Sequence, residues 1–600
     1  MTPTDLPFEE IWLWDFEFVS QPGERPDVVC LAAHEWRSGR TLRLWRDELG
    51  EQPPFRVDGG VLFVSFVANA ECACHLALGW PVPANVLDLS PVFRNLTNGR
   101  FTPEGKGLIG ALRYFGLDAI GSKQKDAMQK RVMKGWPFTP EEREQILRYC
   151  YSDVDALVRL LPKVLPEIKL DVALYHGEFA AVSARMEHHG VPIDMEIFPQ
   201  LADEDTWSAV RDAMVPAIDQ QYGVYVRSAA GEWSFSLERF EAYCALSGIA
   251  WPRLESGKFN MKRKIFEDMS KGRPQLEALR QLRHTRDKMR KIKLAVGADG
   301  RNRTVLWPFK AKTSRTQPKA SQWIFSPAVW LRSLIKPGPG MAVAYIDYSS
   351  MEFLIAAVLS DGHYDPVNAM LDMYLSGDPY LSFAKRVGAV PSTATKKSHA
   401  EVRDKYKVML LAVQYGMSSE TLAGRLGVSS FEAHEMLNQH RELFAQYWRW
   451  SDDWIAHSLQ TGVMWTAFGW ECRIGIVEPT VNARSIRNWP VQATGADILR
   501  ISCTLAARHG IKLLAPVHDA VLLEAPIERI EADVALMQEI MRRASRIVLN
   551  SDSDGPHELR TDAKIVRYPD RYTDKRGKDI WAYVLKHLAK YRTQQEARTA

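Results

Sequence analysis

The chain opens on three apolar runs, IWLWDFEF (11–18), DVVCLAAHEW (27–36) and VLFVSFVANA (61–70), each of strand length. Helical stretches follow, ending in EEREQILRYCYSDVDALVRLLPKVL (141–165), and the mixture predicts an α/β unit over residues 1–170. From 171 to 310 the pattern is predominantly helical and increasingly basic. At KTSRTQPKASQWIFSP (312–327) the texture changes to a polar, proline-containing connector. A strand, MAVAYIDYS (341–349), then opens a third unit of long helices. That unit closes on IKLLAPVHDAVLLEAP (511–526), two apolar runs meeting at His518 and Asp519 in the pattern of a β-hairpin. The last residues are polar, with Trp581 and Tyr583 as aromatic anchors, and no internal repeat interrupts this order.

Composition narrows the class. At 600 residues, 46% hydrophobic and 25% charged, the sequence has the proportions of a multi-domain globular protein. No run approaches the roughly 18 apolar residues of a membrane span, and the first residues lack the basic start and apolar core of a secretory signal. Seven cysteines without CxxC spacing suggest neither a disulfide framework nor a zinc site. These features predict a soluble, cytoplasmic protein that needs no membrane. The net charge of +4 says little, but Lys258 to Lys293 carries 13 Lys/Arg against four Asp/Glu. That helical stretch reads either as a track for a phosphate backbone or as a solvated face.

The late region holds the first candidate chemistry. Asp347 ends the strand MAVAYI and Asp519 lies at the hairpin tip. Two carboxylates brought together repel unless they share divalent cations, and paired Mg²⁺ ions about 4 Å apart serve phosphoryl transfer. Between them, in RDKYKVMLLAVQYGM, Arg403, Lys407, Leu411 and Tyr415 recur every four residues and share one helix face. Cations at one end and an aromatic ring at the other suit a nucleotide, with its phosphates on Arg and Lys and its base near Tyr. Gly416 lets a flat group approach the backbone.

These residues resemble the family A DNA polymerases, the group of bacterial polymerase I. DYSSME (347–352) resembles motif A, the Arg403–Tyr415 stripe with Gly416 resembles motif B, and VHDA (517–520) resembles motif C. RSIRNWPVQATGADI carries the Arg484, Asn488 and Gln492 spacing of the primer–template contacts, and TSRTQP, with Arg315, is similar to a segment that touches the growing pair. The resemblance implies that Asp347 and Asp519 hold two Mg²⁺ ions, or Mn²⁺ in their place, with the Tyr348 carbonyl assisting. It implies that Arg403 and Lys407 bind the triphosphate, Lys407 also protonating pyrophosphate, and that Tyr415 stacks near the template base. Glu352 would be the steric gate against a ribose 2′-OH, and His518 would touch the primer end. Three departures stand out: Leu411 where an aromatic is usual, Ser350 for Gln, and Ala520 for the acid after the His-Asp pair.

A second site is expected in the first unit. Asp15 and Glu17 flank Phe16 and face one side of a strand, while Tyr149 and Asp153 share a helix face. Together they resemble the DnaQ-like 3′–5′ exonucleases, in the subclass that uses Tyr. The resemblance implies two Mg²⁺ and a water oriented by Tyr149. The usual acid four residues after an Asn is missing, because Asn69 leads to Ala73. Glu71 is the expected substitute ligand and Asp88 the fallback; Cys72, Cys74 and His75 nearby read as core.

The expected architecture is therefore multi-domain, α/β and α+β. An RNase H-like exonuclease (1–170) precedes a right-hand polymerase with a helical thumb (171–310) and a palm and fingers (311–600, fingers about 375–445). The expected activity is primer extension with dNTPs plus proofreading, by a monomer acting on primer–template DNA, with a processivity or replisome partner that motifs do not encode. A 5′-nuclease domain is not expected, and the layout resembles phage or plasmid replication enzymes. The rivals are a single-subunit RNA polymerase, opposed by Glu352, and a scaffold without catalysis, opposed by the presence of both aspartates.

Overall fold

The structure is a computed structural model and describes residues 2–119, 122–288, 291–326, 328–361, 368–475, 482–549 and 557–599. Its first unit is a five-stranded sheet of order β3-β2-β1-β4-β5. The strands are β1 (Glu10–Val19), β2 (Asp27–Glu35), β3 (Thr41–Trp45), β4 (Val61–Ser65) and β5 (Asn85–Asp88). β1, β2 and β3 are antiparallel, while β4 and β5 run parallel to β1. The run at 61–70 is a strand only as far as Ser65. Val67 turns the chain with φ 81°, and Asn69, Glu71 and Ala73 fall on helix α1 (Ala68–Ala77). Helix α2 (Leu89–Leu96) follows β5, and α3 (Ser122–Met133) and α4 (Pro140–Val164) cover β1 and β2. Cys72, Cys74 and His75 are buried, with His75 edge-on to Trp14 and Trp80, as expected of core residues.

Helix α5 (Leu170–His189) joins this unit to the rest. It packs on α1 and β5 on one side, and on β7 (Leu513–Val517) and the long helix α10 (Ala483–Arg508) on the other. Gly177 makes that approach possible, since a Cβ there would sit 1.8 Å from the Val86 carbonyl oxygen.

The region up to 310 is mainly helical, with two short antiparallel pairs among the described residues, Val191–Pro192 with Arg301–Asn302 and Tyr225–Arg227 with Trp233–Phe235. Its helix α6 (Glu204–Asp219) packs on the last helix, α12 (Lys578–Thr599), through a stack of Trp207, Trp330 and Trp581. Many cations of the basic stretch are held within the protein. Arg273 donates to the Gly424 carbonyl, Arg280 pairs with Glu277, Arg286 with Asp212, and Arg283 lies over Phe266. Part of the stretch, 289–290, lies outside the described residues.

The third unit is built on a four-stranded sheet of order β7-β8-β6-β9, with β6 (Met341–Tyr348), β8 (Ala520–Pro526) and β9 (Thr561–Arg567). Every neighbouring pair is antiparallel. Helices α7 (Met351–Leu359), α10 and α11 (Ile530–Leu549) bury their apolar faces against it and against one another. Helices α8 (Pro379–Arg386) and α9 (Ala400–Gln414) rise beside α7. Among the described residues no helix is long and apolar enough to cross a membrane.

Candidate active sites

Strand register brings Asp347 and Asp519 together. β7 and β8 form a hairpin whose pair Val517–Ala520 leaves His518 and Asp519 as the two-residue turn, with His518 at φ 60°. Asp347 is opposite Ala520 across β6–β8, and the Tyr348 N–H donates to the Asp519 carbonyl oxygen at 3.2 Å. Burial, and then the neighbouring Asp519, raises the Asp347 carboxyl well above the ordinary range; burial raises Asp519 too. Asp347 Oδ1 is buried and meets no hydrogen-bond donor among the described residues. A carboxylate pair with an orphaned oxygen fits a hard divalent cation, which would ionise both groups and supply the missing partner. Ala520 is fully buried, so motif C offers no third acid.

The Arg403–Leu411 stripe lies on α9 close to this pair. Arg403 and Lys407 flank the Tyr380 ring, 5.3 Å and 5.7 Å from its centroid, and the Lys407 charge is felt by Asp347. Arg403 Nε donates to Asp378 Oδ2 at 2.5 Å; Asp378 also caps α8 through the Leu381 N–H. Leu411 is half-buried behind them. Tyr415, at the end of α9, is raised by burial and by Glu352 beside it. The Glu352 carbonyl oxygen accepts from Gln414, and its carboxylate pairs with Arg315 at 3.3 Å. Ser350, at φ 54°, turns β6 into α7 and presents Glu352 in the first helical turn. Past Tyr415 a cleft of about 440 Å³ is lined by Gly416, Ser418, His434, Arg441, Arg484 and Arg487. Asn488 and Gln492 lie one and two turns further along α10 than Arg484, on the same face.

In the first unit, Asp15, Glu17 and Asp153 each offer an oxygen, and the three lie within 4.8 Å of one another. β1 supplies the first two by its period of two, and α4 supplies Asp153 with Tyr149 one turn earlier. Burial raises Asp15, Glu17 and Asp153; Asp15 is raised further by Asp153, and Glu17 by Asp15. These groups also fit a divalent cation, because three clustered carboxylates meet the single ammonium of Lys125, which leaves most of their charge unbalanced. Glu71 is placed behind them, its Oε2 accepting the Phe16 N–H at 2.9 Å between the two β1 ligands. Asp88 is not brought to the cluster. Its Oδ1 accepts the N–H groups of Val67 and Ser90, so it caps α2 and fixes the turn before α1. The expected fallback ligand thus lies outside the three-carboxylate group, with its Oδ1 turned to backbone donors.

Comparison with known proteins bears on the third unit most directly. Residues 325–554 match the model of DNA polymerase family A. This stretch is similar to the polymerase domain of that family. The chain is 28% identical over 220 residues to a thermostable DNA polymerase I of Thermus thermophilus, a match covering 34% of this chain and 25% of that protein. DNA polymerase I of Chloroflexus aurantiacus is 28% identical over 222 residues, covering 35% and 22%. The chain thus matches about a quarter of the length of these relatives. The POL domain of Pol1 from M. smegmatis, solved in complex with DNA primer-template and dNTP, superimposes with a TM-score of 0.63. That match has 20% identity and covers 92% of this chain and 95% of the other, so the fold is shared across nearly the whole length.

Several residues around the Asp347–Asp519 site are not found by motif reading. Asp378 and Tyr380 hold Arg403 and Lys407 from α8, a helix start that sequence alone marks only as a cap. Arg500, buried with Asp497, donates to the Ser314 carbonyl oxygen and hydroxyl at 3.0 Å and so fixes the loop that carries Arg315. No local pattern around Arg500 signals this role, because its partner is 186 residues away. Asp562 on β9 lies opposite Asp347 and accepts from the Ser349 hydroxyl at 2.6 Å. In the first unit, Lys125 reaches Asp153.

Proposed function

We propose that the chain is a template-directed DNA polymerase that extends a primer 3′ end with dNTPs, and that its first unit is an RNase H-like 3′–5′ exonuclease that trims the same end. The observation that carries the polymerase reading is the Asp347–Asp519 pair, set by register close to the Arg403–Lys407 face in a stretch similar to a family A polymerase domain. Mg²⁺ at each carboxylate group would supply the positive charge that activates the attacking oxygen and offsets the leaving one. Asp347 and Asp519 would hold it, with the Tyr348 carbonyl. Arg403 and Lys407 would bind the triphosphate, and Lys407 would give a proton to the departing pyrophosphate. Releasing Arg403 from Asp378 is part of that binding. Glu352, held by Arg315, would exclude a ribose 2′-OH and select deoxynucleotides. Tyr415 and the cleft beyond it would hold the template base, with Arg484, Asn488, Gln492 and His518 along primer and template.

The exonuclease reading is supported by the Asp15–Glu17–Asp153 group, with Tyr149 beside it to orient water, on a sheet of mixed 3-2-1-4-5 order. In this reading 171–310 is the thumb and the remainder palm and fingers, and the protein acts in phage or plasmid replication. The test is a pair of variants in full-length protein. Asp347→Ala should lower extension at least about 10³-fold and leave degradation intact, while Asp15→Ala should do the reverse. Loss of both activities in either variant would contradict two separate sites.

A further inference from the structure

Lys125 reaches into the acidic group of the first unit. It projects from α3, and its Nζ is 2.6 Å from Asp153 Oδ2. The same ammonium lies 5.9 Å from the centroid of the Tyr149 ring, and its charge acts on Asp15 and Glu17. Both members of the pair are partly open to solvent, with side chains 25% and 13% exposed, so the ammonium stands at the mouth of the cluster rather than in the core.

Among the described residues three carboxylates gather at one point, and no fourth joins them. Ala73 occupies the place of the expected fourth acid, Asp88 Oδ1 accepts two backbone N–H groups, and Glu71 Oε2 accepts the Phe16 N–H. Three carboxylates and a phosphodiester carry four negative charges. One divalent cation and the Lys125 ammonium leave a net charge of −1, whereas two divalent cations with the ammonium would leave an excess of positive charge. A second divalent ion would have to share Asp153 with an ammonium already 2.6 Å away, a repulsion only partly screened in a half-buried site. We propose that this exonuclease works with one divalent ion at Asp15, Glu17 and Asp153, and that Lys125 takes the second cation's place, its ammonium touching a non-bridging oxygen of the 3′-terminal phosphodiester.

The inference rests on the exonuclease reading above. In the step, a water oxygen bonds to phosphorus and the P–O3′ bond breaks. Water loses one proton and the leaving 3′ oxygen gains one, giving a nucleoside 5′-monophosphate and a shortened 3′-hydroxyl strand. Lys125 offsets the charge that builds on phosphorus-bound oxygen.

The test uses full-length protein carrying Asp347→Asn and Asp519→Asn, so that metal is read at the first unit alone. Mn²⁺ binding is followed by the EPR signal of the free ion, and single-turnover degradation of single-stranded DNA is timed at saturating Mn²⁺. One Mn²⁺ per chain is expected. Lys125→Ala should bind it several-fold more tightly, because a competitor for Asp153 is gone, yet degrade about 100-fold more slowly. Lys125→Arg should recover part of the rate. Degradation by Lys125→Ala at the parental rate, or two Mn²⁺ per chain in the parent, would overturn the proposal. A misfolded variant would lose Mn²⁺ rather than gain affinity. Absence of degradation in the parent at saturating metal would instead overturn the exonuclease reading itself.

Discussion

At the residue scale the two candidate sites share one feature, clustered carboxyls raised above the ordinary range by burial and by their like-charged neighbours. Burial and the neighbouring Asp153 push the Asp15 carboxyl from 3.8 up to about 8, and burial with Asp519 does the same for Asp347. A carboxyl raised in the folded state binds its proton more tightly there than in the unfolded chain, so stability falls as pH rises from 3.8 to about 8. A divalent cation binds the ionised form and reverses the sign. In EDTA the melting midpoint should therefore fall between pH 5.5 and pH 8 more steeply than in Asp15→Asn/Glu17→Gln protein, and Mg²⁺ should restore more at pH 8 than at pH 6. Equal slopes for the two proteins in a thermal scan would contradict the assignment. The candidates Asp15, Glu17, Asp347 and Asp519 stand out in the sequence because each lies in a short local pattern, a strand or a turn between apolar runs, and Asp153 because it follows Tyr149 by one helical turn. Lys125 does not, since a lysine on a polar helix looks like any solvated one until the fold brings it to Asp153.

At the scale of elements, the Asp347–Asp519 site depends on segments that hold their neighbours in place. Arg500, 2% exposed, is paired with the fully buried Asp497 and donates twice to Ser314, whose φ is 61°. That contact fixes the strained loop carrying Arg315, and Arg315 in turn fixes Glu352. Arg500→Ala would leave Asp497 buried without its partner, a loss of about 3–5 kcal/mol. The expected result is a lower unfolding midpoint in denaturant, together with extension reduced at least about tenfold and degradation retained. An unchanged midpoint would show that the loop does not need this anchor. Apolar runs and turn residues made the strands β1, β2 and β6 and the hairpin β7–β8 readable in advance. They misplaced the end of the third run, where Val67 turns the chain left-handed and starts α1, a backbone choice that hydrophobicity does not encode.

On the scale of the whole molecule, the two candidate sites are joined by packed contacts rather than by a linker. Gly177 packs α5 against the Val86 carbonyl, and a Cβ at Gly99 would sit 1.9 Å from the Arg473 carbonyl oxygen. Asn98 donates to the carbonyls of Lys312 and Glu471 at 2.7 Å, tying the first unit to the connector and to the last unit. Gly177→Ala should part α5 from β5, so calorimetry should show a lower midpoint and a transition split in two. A single transition at the parental midpoint would contradict the close approach. Changes of texture along the chain suggest an order of units, but no local pattern signals these contacts, because Asn98 reaches residues more than 200 positions away and Gly177 meets Val86 from helix α5. The central claim is that one chain both lengthens and shortens the same DNA end. It is tested most directly with a 5′-labelled primer on a longer template, in Mg²⁺, with and without the four dNTPs. The account predicts longer products with dNTPs and shorter ones without them; an unchanged primer in both lanes would contradict it.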